Sequence, residues 1–260
     1  MFRICTIVND LAQYRAMRDS FIAAGFAPDR CSFRLYDNSQ GNEYDPFRVI
    51  SSLNTESPHG FVILCHQDIR LDRGVGYEAL LRRLDQLTAI DGQWAVAGNF
   101  GITLQRVGVG KVNDPQGTSC PASFPQKVIS LDENFLVFRP DPRLCSTPEL
   151  YGFHLYGTDV CLNAYLSGLA CYVIDFQLTH LSGGDSHSPE FQDAARRFAG
   201  AWNKRFAWAV VDTPCTALRM SRWGPVRKLL NSSKVNAVLD RIGMSLVPCP
   251  EWARSREVRR

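Results

Sequence analysis

The stretch GFVILCHQDIRLD, residues 60–72, decides how the chain is read. Phe61 to Cys65 is an apolar run of strand type. It stops at three polar residues, His66, Gln67 and Asp68. A strand apolar on both faces is buried on both faces, as in parallel sheets covered by helices. Its C-terminal end is where ligands bind in open α/β sheets. A buried strand that delivers a His and an Asp, two residues apart, to that end is the first pointer to a site.

The surrounding sequence extends the pattern. FRICTIV (2–8) reads as a strand, and DLAQYRAMRDSFIAAG as a helix with Leu11, Tyr14, Met17 and Phe21 at helical spacing, Asp10 as cap and Gly25 as stop. CSFRLYDNS (31–39) is a second strand ending in Asp37-Asn38-Ser39. DPFRVISSLNTE is a short helix with Pro46 at an allowed N-terminal position. GYEALLRRLDQLT is a helix and WAVAGNFG a further strand. This alternation predicts an α/β fold, a mostly parallel sheet flanked by helices. Both polar strand ends would then face one crevice. Residues 106–125, rich in Gly, Pro, Ser and Asn, read as a long loop with at most a short strand, of the kind that closes over sites. KVISLDENFLVFRP gives two strand-like segments around Asp132-Glu133-Asn134. TDVCLNAYLSGL is a helix with Thr158 or Asp159 as cap, ACYVIDF a strand, and 189–208 a polar-aromatic helix.

Composition bounds the classes. The chain has 260 residues, 45% hydrophobic and 21% charged, as ordinary globular proteins do. No apolar run is long enough to span a bilayer, and FRICTIV follows Met1 with no leader pattern. Nine scattered cysteines without a CxxC pair signal neither a zinc site nor a disulfide framework. A soluble cytoplasmic protein is expected, with no nucleic-acid partner. Residues 215–260 hold ten Lys and Arg against three acids, together with Trp223, Leu229, Leu230 and Trp252. Two domains are read: residues 1–210, and a basic helical C-terminal extension over 211–260. The extension either touches an anionic membrane face or packs on the domain.

Three constellations carry candidate chemistry. In His66-Gln67-Asp68 the carboxylate suits a divalent cation and the His adds a nitrogen ligand or a hydrogen bond; such an Asp also serves as a turn or helix cap. Asp159 opens an amphipathic helix, either as a cap or as a base ionised by the helix N-terminus. In LTHLSGGDSH (178–187), His180 leaves a strand before Gly183-Gly184, which allow close backbone approach to a ligand. His154, Tyr156, Trp94 and Trp202 read as packing residues, and His187 as a cap for the following helix.

In their order along residues 2–185, these motifs resemble the family 2-like glycosyltransferases of the GT-A fold. CTIVND resembles the opening strand and LYDNSQGN the second strand end, where an Asp touches the nucleotide. ILCHQDIRL resembles the Asp-x-Asp strand end, with His66 in place of the first acid, a form that recurs in a bacterial branch. SLDENFLVFRP resembles the acceptor-side strand pair. FHLYGTDVCLNAYLSGLACYVID resembles the Glu-Asp helix region, with Thr158 in place of Glu, and LTHLSGG the late His. The resemblance implies metal-assisted, inverting transfer of a sugar from a nucleotide-diphosphate donor, most readily a UDP-sugar, to a glycan or lipid-linked hydroxyl in bacterial surface glycan synthesis. It assigns Asp68, with His66 and His180, to Mn²⁺ or Mg²⁺; Asp37 and Asn38 to the nucleotide; Asp132 and Glu133 to sugar hydroxyls; Asp159 to the catalytic base; and 106–125 to a lid. The two lost acids leave a second expectation open, a non-catalytic module that binds a nucleotide-sugar or glycan. A nucleotidyltransferase is disfavoured because IVNDLAQYR lacks a Gly-rich phosphate loop.

Overall fold

A computed structural model describes residues 2–56, 60–72, 74–117, 119–120, 122–242 and 247. The N-terminal half runs β1 (Phe2–Val8), α1 (Leu11–Ala23), β2 (Cys31–Asp37), α2 (Pro46–Glu56), β3 (Phe61–Cys65), β4 (Ile69–Leu71), α3 (Tyr77–Ile90) and β5 (Trp94–Gly98). Six short strands follow: β6 (Phe100–Ile102), β7 (Gly108–Lys111), β8 (Ser119–Cys120), β9 (Gln126–Val128), β10 (Ser130–Leu131) and β11 (Phe135–Phe138). The chain continues through α4 (Tyr156–Leu166), β12 (Ala170–Val173), β13 (Leu178–His180), α5 (Pro189–Asn203), β14 (Ala209–Asp212), β15 (Ala217–Met220), α6 (Gly224–Leu230) and α7 (Ser233–Ile242).

The main sheet has the order β2-β1-β3-β11-β5-β12-β9. Strands β2, β1, β3, β5 and β12 share one direction, and β11 and β9 run against it. The fold is therefore mixed α/β with a mostly parallel central sheet flanked by helices, as the strand–helix alternation predicts. Successive side chains of a strand point to opposite faces. In β3, Val62 and Leu64 join α2, α4 and α5 in one apolar cluster. Ile63 and Cys65 join α1 and α3 in the other. Each Ile or Leu buried this way stabilises the fold by roughly 1.5–3 kcal/mol.

Several expectations are refined by the structure. Asp10 caps α1, accepting from the backbone N–H groups of Ala12 and Gln13. WAVAGNFG is two strands: the chain leaves the main sheet at Asn99 and enters a small sheet, β10-β6-β7-β8. Within 106–125, β7 and β8 are short strands of four and two residues. Gly110 (φ +116°) is needed where β7 passes Asn99, because a Cβ there would lie 2.1 Å from the Asn99 carbonyl oxygen. Helix α4 begins before the expected caps. Leu155, in left-handed backbone at φ 68°, occupies the cap position, and Thr158 and Asp159 lie in the buried first turn. The anticipated domain boundary at 210/211 falls inside β14. Ala209, Val211, Leu218 and Met220 belong to the same apolar cluster as Leu64. Trp94 and Trp202 are core residues. His59, Trp252 and the four arginines from Arg254 onward lie outside the described residues.

Two glycines test the packing. A Cβ on Gly157 would sit 2.5 Å from the Leu131 carbonyl oxygen and 3.1 Å from Glu133 Cγ, whereas one on Gly200 in α5 meets nothing within 4 Å. Gly157→Ala is expected to cost about 1–3 kcal/mol by forcing α4 off β10. Gly200→Ala is expected to gain ~0.4–1 kcal/mol by stiffening the unfolded chain. Denaturant unfolding of both variants measures the difference.

Candidate functional site

The sheet builds the site from three strand ends. Strands β1 and β3 are parallel, so Asn9 and His66 emerge at one edge. Strand β11 is antiparallel to β3, with Phe135 opposite Cys65. The turn before it, Asp132-Glu133-Asn134, therefore starts at that same edge, and the His66 N–H donates to the Asn134 carbonyl at 3.0 Å. Strand β13 pairs antiparallel with β4, setting His180 opposite Ile69. The Leu181 N–H then donates to the Asp68 carbonyl at 3.0 Å. The N-terminus of α4 brings Tyr156 to the same place.

These ends line a cleft of about 940 Å³. Its wall includes His66, Asp68, Asp132, Glu133, His154, Tyr156 and His180, and the 182–187 loop on one side. Val112, Asp114 and Gln116 roof it, tied down by the Asn113 N–H to the Leu178 carbonyl at 2.9 Å and by Gln116 Nε2 to the Gly183 carbonyl at 2.9 Å. The tip of the β14–β15 hairpin, Thr213 to Cys215, adds a further wall. The lining holds the carboxyl groups of Asp68, Asp114, Asp132, Glu133 and Asp185. Among the described residues it holds no Lys or Arg.

One cluster in this cleft has metal-ligand character, formed by His66, Asp68 and His180. His180 Nε2 lies 3.4 Å from Asp68 Oδ1 and 3.4 Å from His66 Nδ1, and His66 Nδ1 lies 4.0 Å from Asp68 Oδ1. Bonds of ~2.1 Å at octahedral to tetrahedral angles place neighbouring ligand atoms ~3.0–3.4 Å apart. The three groups thus fit one divalent cation after a shift of a few tenths of an ångström at His66. The protonation states of the three groups are linked, and a cation would have to displace the proton that Asp68 favours on His180. Enclosure in the cleft, and then the nearby His180, push the His66 pKa down to about 4, so its ring is neutral at pH 7. Burial opposes ionisation of Asp68, but hydrogen bonds from His180 and Ser182 and the charge of His180 outweigh it and hold the carboxyl well below its usual range. Burial likewise opposes the charged form of His180. The hydrogen bond to Asp68 and its charge prevail and raise the pKa.

Other expected site residues are placed differently. Asp37 is exposed, accepts from the Ser39 N–H at 2.8 Å and is not part of the cleft wall. Asn38 lines the wall, but its amide is engaged with the Tyr44 backbone, donating to the carbonyl and accepting from the N–H, both at 2.9 Å. Asp132 accepts from the Asn134 N–H at 3.0 Å. Glu133 reaches the first turn of α4, where Oε1 accepts from the Gly157 N–H at 3.2 Å; burial, and then Asp132, push its pKa well above the ordinary value. Asp159 is a correction. It is fully buried and absent from the cleft wall. Oδ2 accepts from the Thr147 N–H at 2.7 Å and from Asn163 Nδ2 at 3.2 Å, and Oδ1 accepts from Trp202 Nε1 at 2.9 Å. Those bonds lock the core and leave no face toward an acceptor hydroxyl, so Asp159 is not placed as a base.

Two residues passed over in the sequence have positioning contacts. Gln67 Oε1 accepts from the Asn9 and Asp10 N–H groups, both at 3.0 Å, and its amide donates to Asn9 Oδ1, clasping the ends of β1 and β3. The Tyr156 hydroxyl lies 2.9 Å from His66 Nε2. His187 is in the cleft wall, and Ser188, not His187, caps α5. Asp159→Ala is expected to destabilise the fold by ~3 kcal/mol or more, since it strands the buried Thr147 N–H and Trp202 Nε1–H donors. Mn²⁺ binding by the folded fraction should persist. A thermal melt with and without Mn²⁺ checks both.

No family model matches the chain. Among solved structures it is similar to GalNAc-T7 with UDP, GalNAc and Mn²⁺, at a TM-score of 0.49 and 9% identity, covering 79% of this chain and 50% of that one. It is also similar to the mannosyltransferase PcManGT from Pyrobaculum calidifontis in complex with GDP-Man and Mn²⁺, at a TM-score of 0.46 and 7% identity, covering 79% and 63%. The chain thus spans half to just under two thirds of these structures' own lengths, and likeness at this level assigns no residue and no substrate. In sequence it is 35% identical over 192 residues to the protein described as "ATP synthase subunits region ORF 6" of Fuscovulum blasticum, covering 69% of this chain and 75% of that protein. That description states no activity, but identity and coverage of this extent place the chain in the same family as the Fuscovulum blasticum protein.

Proposed function

We propose that the protein is a metal-dependent glycosyltransferase of the family 2-like GT-A kind, moving a hexose from a nucleotide-diphosphate donor to an acceptor hydroxyl with inversion. The observation that carries this reading is the convergence of His66, Asp68 and His180 in a cleft whose described wall holds five carboxyl groups and no cationic Lys or Arg. A diphosphate is repelled by such a wall unless a divalent cation accompanies it. The order of the strand-end motifs along the chain supports sugar transfer over other metal–nucleotide chemistry.

Asp68 would be the main oxygen ligand, with His66 Nδ1 and His180 Nε2 as nitrogen ligands, a set that favours Mn²⁺ over Mg²⁺. Bound there, a divalent cation offsets the charge that builds on the diphosphate as its bond to the sugar C1 breaks. The chain's own residues do the rest. Glu133, which lines the cleft wall beside Asp132, replaces Asp159 as the group proposed to take the acceptor proton. Asp132 and the 182–187 loop would hold sugar hydroxyls or phosphate oxygens, and the 112–116 roof excludes water and so limits donor hydrolysis. Of the residues first assigned to the nucleotide, Asn38 shapes the wall, and Asn42 beside it offers a polar edge to the base or ribose.

Calorimetry with UDP tests this. UDP is expected to bind only when Mn²⁺ is present, and Asp68→Ala to weaken that binding by at least ~100-fold. Equal UDP binding in EDTA would contradict it. UDP binding with no UDP release from any UDP-sugar, with or without an acceptor, would leave the non-catalytic nucleotide-sugar module in its place.

A lipid-linked acceptor in surface glycan synthesis fits the basic C-terminal region. Among the described residues no helix is long and apolar enough to cross a membrane. Exposed Trp223 and Leu229 flank Arg227 and Lys228 on and beside α6, with Arg222 over the Trp223 ring. Because β15 is part of the core, a fair test removes only residues after Ile242, alone and combined with Trp223→Ala. Co-sedimentation with phosphatidylglycerol vesicles should fall stepwise; unchanged co-sedimentation would sink the membrane contact.

A further inference from the structure

We propose that Tyr156 is the positioning residue of the cation site: its hydroxyl fixes the His66 ring as the Nε2–H tautomer and so presents a bare Nδ1 to Asp68 and His180. This rests on the reading of that cluster as a cation site.

The argument is a count of protons. The Tyr156 hydroxyl lies 3.0 Å from the Glu133 carbonyl oxygen and 2.9 Å from His66 Nε2. A carbonyl oxygen only accepts, and a phenol has a single proton, so that proton goes to Glu133. The remaining contact then needs its proton from the imidazole, and His66 Nε2 donates to the Tyr156 oxygen. A neutral imidazole carries one N–H, so Nδ1 is left with its lone pair exposed. That nitrogen is the one 3.4 Å from His180 Nε2 and 4.0 Å from Asp68 Oδ1. A metal-ligating His depends on a partner at its other nitrogen to hold tautomer and ring orientation. Tyr156 occupies that place.

The phenol itself is rigidly held. It is 4% exposed and meets the Phe47 ring edge-on, at 6.2 Å between centroids and 78° between planes. Its neighbour Leu155 takes left-handed backbone at φ 68°, a conformation uncommon for a bulky residue and found where the surroundings enforce it. That turn aims Tyr156 back across the cleft while the Gly157 N–H is held by Glu133. The His66 backbone is pinned separately through Asn134. The hydroxyl therefore ties the end of β3, the turn before β11 and the start of α4 at one point.

The test uses the full chain, wild type and Tyr156→Phe, with His66→Asn to assign the His66 signals. Long-range ¹H–¹⁵N spectra of the metal-free protein read the tautomer, and calorimetry reads Mn²⁺ alone. Wild type is expected to show His66 protonated at Nε2. Tyr156→Phe should lose that preference and bind Mn²⁺ about 10–100-fold more weakly, with its melting curve still cooperative. A wild-type His66 protonated at Nδ1 would overturn the proposal even if Tyr156→Phe failed to fold. Unchanged Mn²⁺ affinity in a folded Tyr156→Phe would overturn it too. Absence of Mn²⁺ binding in wild type, with His66 protonated at Nε2, would instead bring down the cation reading on which the proposal stands.

Discussion

The antiparallel pairing of β11 between β3 and β5 is the constraint on which the site depends. In a purely parallel sheet, neighbouring strands would deliver only their C-terminal residues to the ligand edge. Because β11 runs the other way, its opening residue Phe135 sits opposite Cys65, and the turn before it is carried to that edge. Asp132, Glu133 and Asn134 thereby meet His66, Gln67 and Asp68. The second requirement is the β13–β4 ladder, which returns His180 to Asp68 from more than a hundred residues away. Neither pairing is decorative: a slip of one residue in a strand reverses the face of every side chain, and would remove the ligands from the cleft.

Charge then sets the chemistry. A cleft that holds Asp68, Asp114, Asp132, Glu133 and Asp185, with no described Lys or Arg, is hostile to phosphate by itself. Many phosphate sites use cationic side chains or helix N-termini directly. Here, apart from the cleft's histidines, the positive charge has to come with the ligand or from a bound cation. In the proposed cation site, the His-x-Asp pair offers one carboxylate and one nitrogen, a set that would move the preference along the first-row metals. Burial in the cleft, and then the nearby His180, disfavour the charged form of His66, and His180 and Ser182 favour the ionised form of Asp68.

Much of this was legible in the sequence, for local reasons. The apolar run Phe61–Cys65 and its polar stop marked β3 and an end that lines the cleft, and Asp10 marked the start of α1. What escaped was set by distant contacts. Asp159 looks like a helix cap or a base until Thr147 and Trp202 take its oxygens, 12 and 43 residues away. Its helix begins earlier than the caps suggest because Leu155, with no capping side chain, adopts a conformation that packing enforces. Gln67 drew no role from the sequence, yet it clasps Asn9 across 58 residues. Tyr156 looked like packing, and only the fold reveals that its hydroxyl meets His66. The strands around the boundary drawn from the basic tail were set by distant contacts too. Composition changes near 215, but the apolar residues of β14 and β15 alternate into the same core as the sheet.

The central claim is that His66, Asp68 and His180 jointly hold a divalent cation that carries the nucleotide. Anomalous diffraction at the manganese edge, from crystals grown with Mn²⁺ and UDP, tests it most directly. The account predicts one peak within ~2.0–2.4 Å of His66 Nδ1, an Asp68 carboxylate oxygen and His180 Nε2, with the diphosphate completing the shell. UDP seated in the cleft with no peak at that cluster, or a peak held by other carboxylates of the wall, would contradict it.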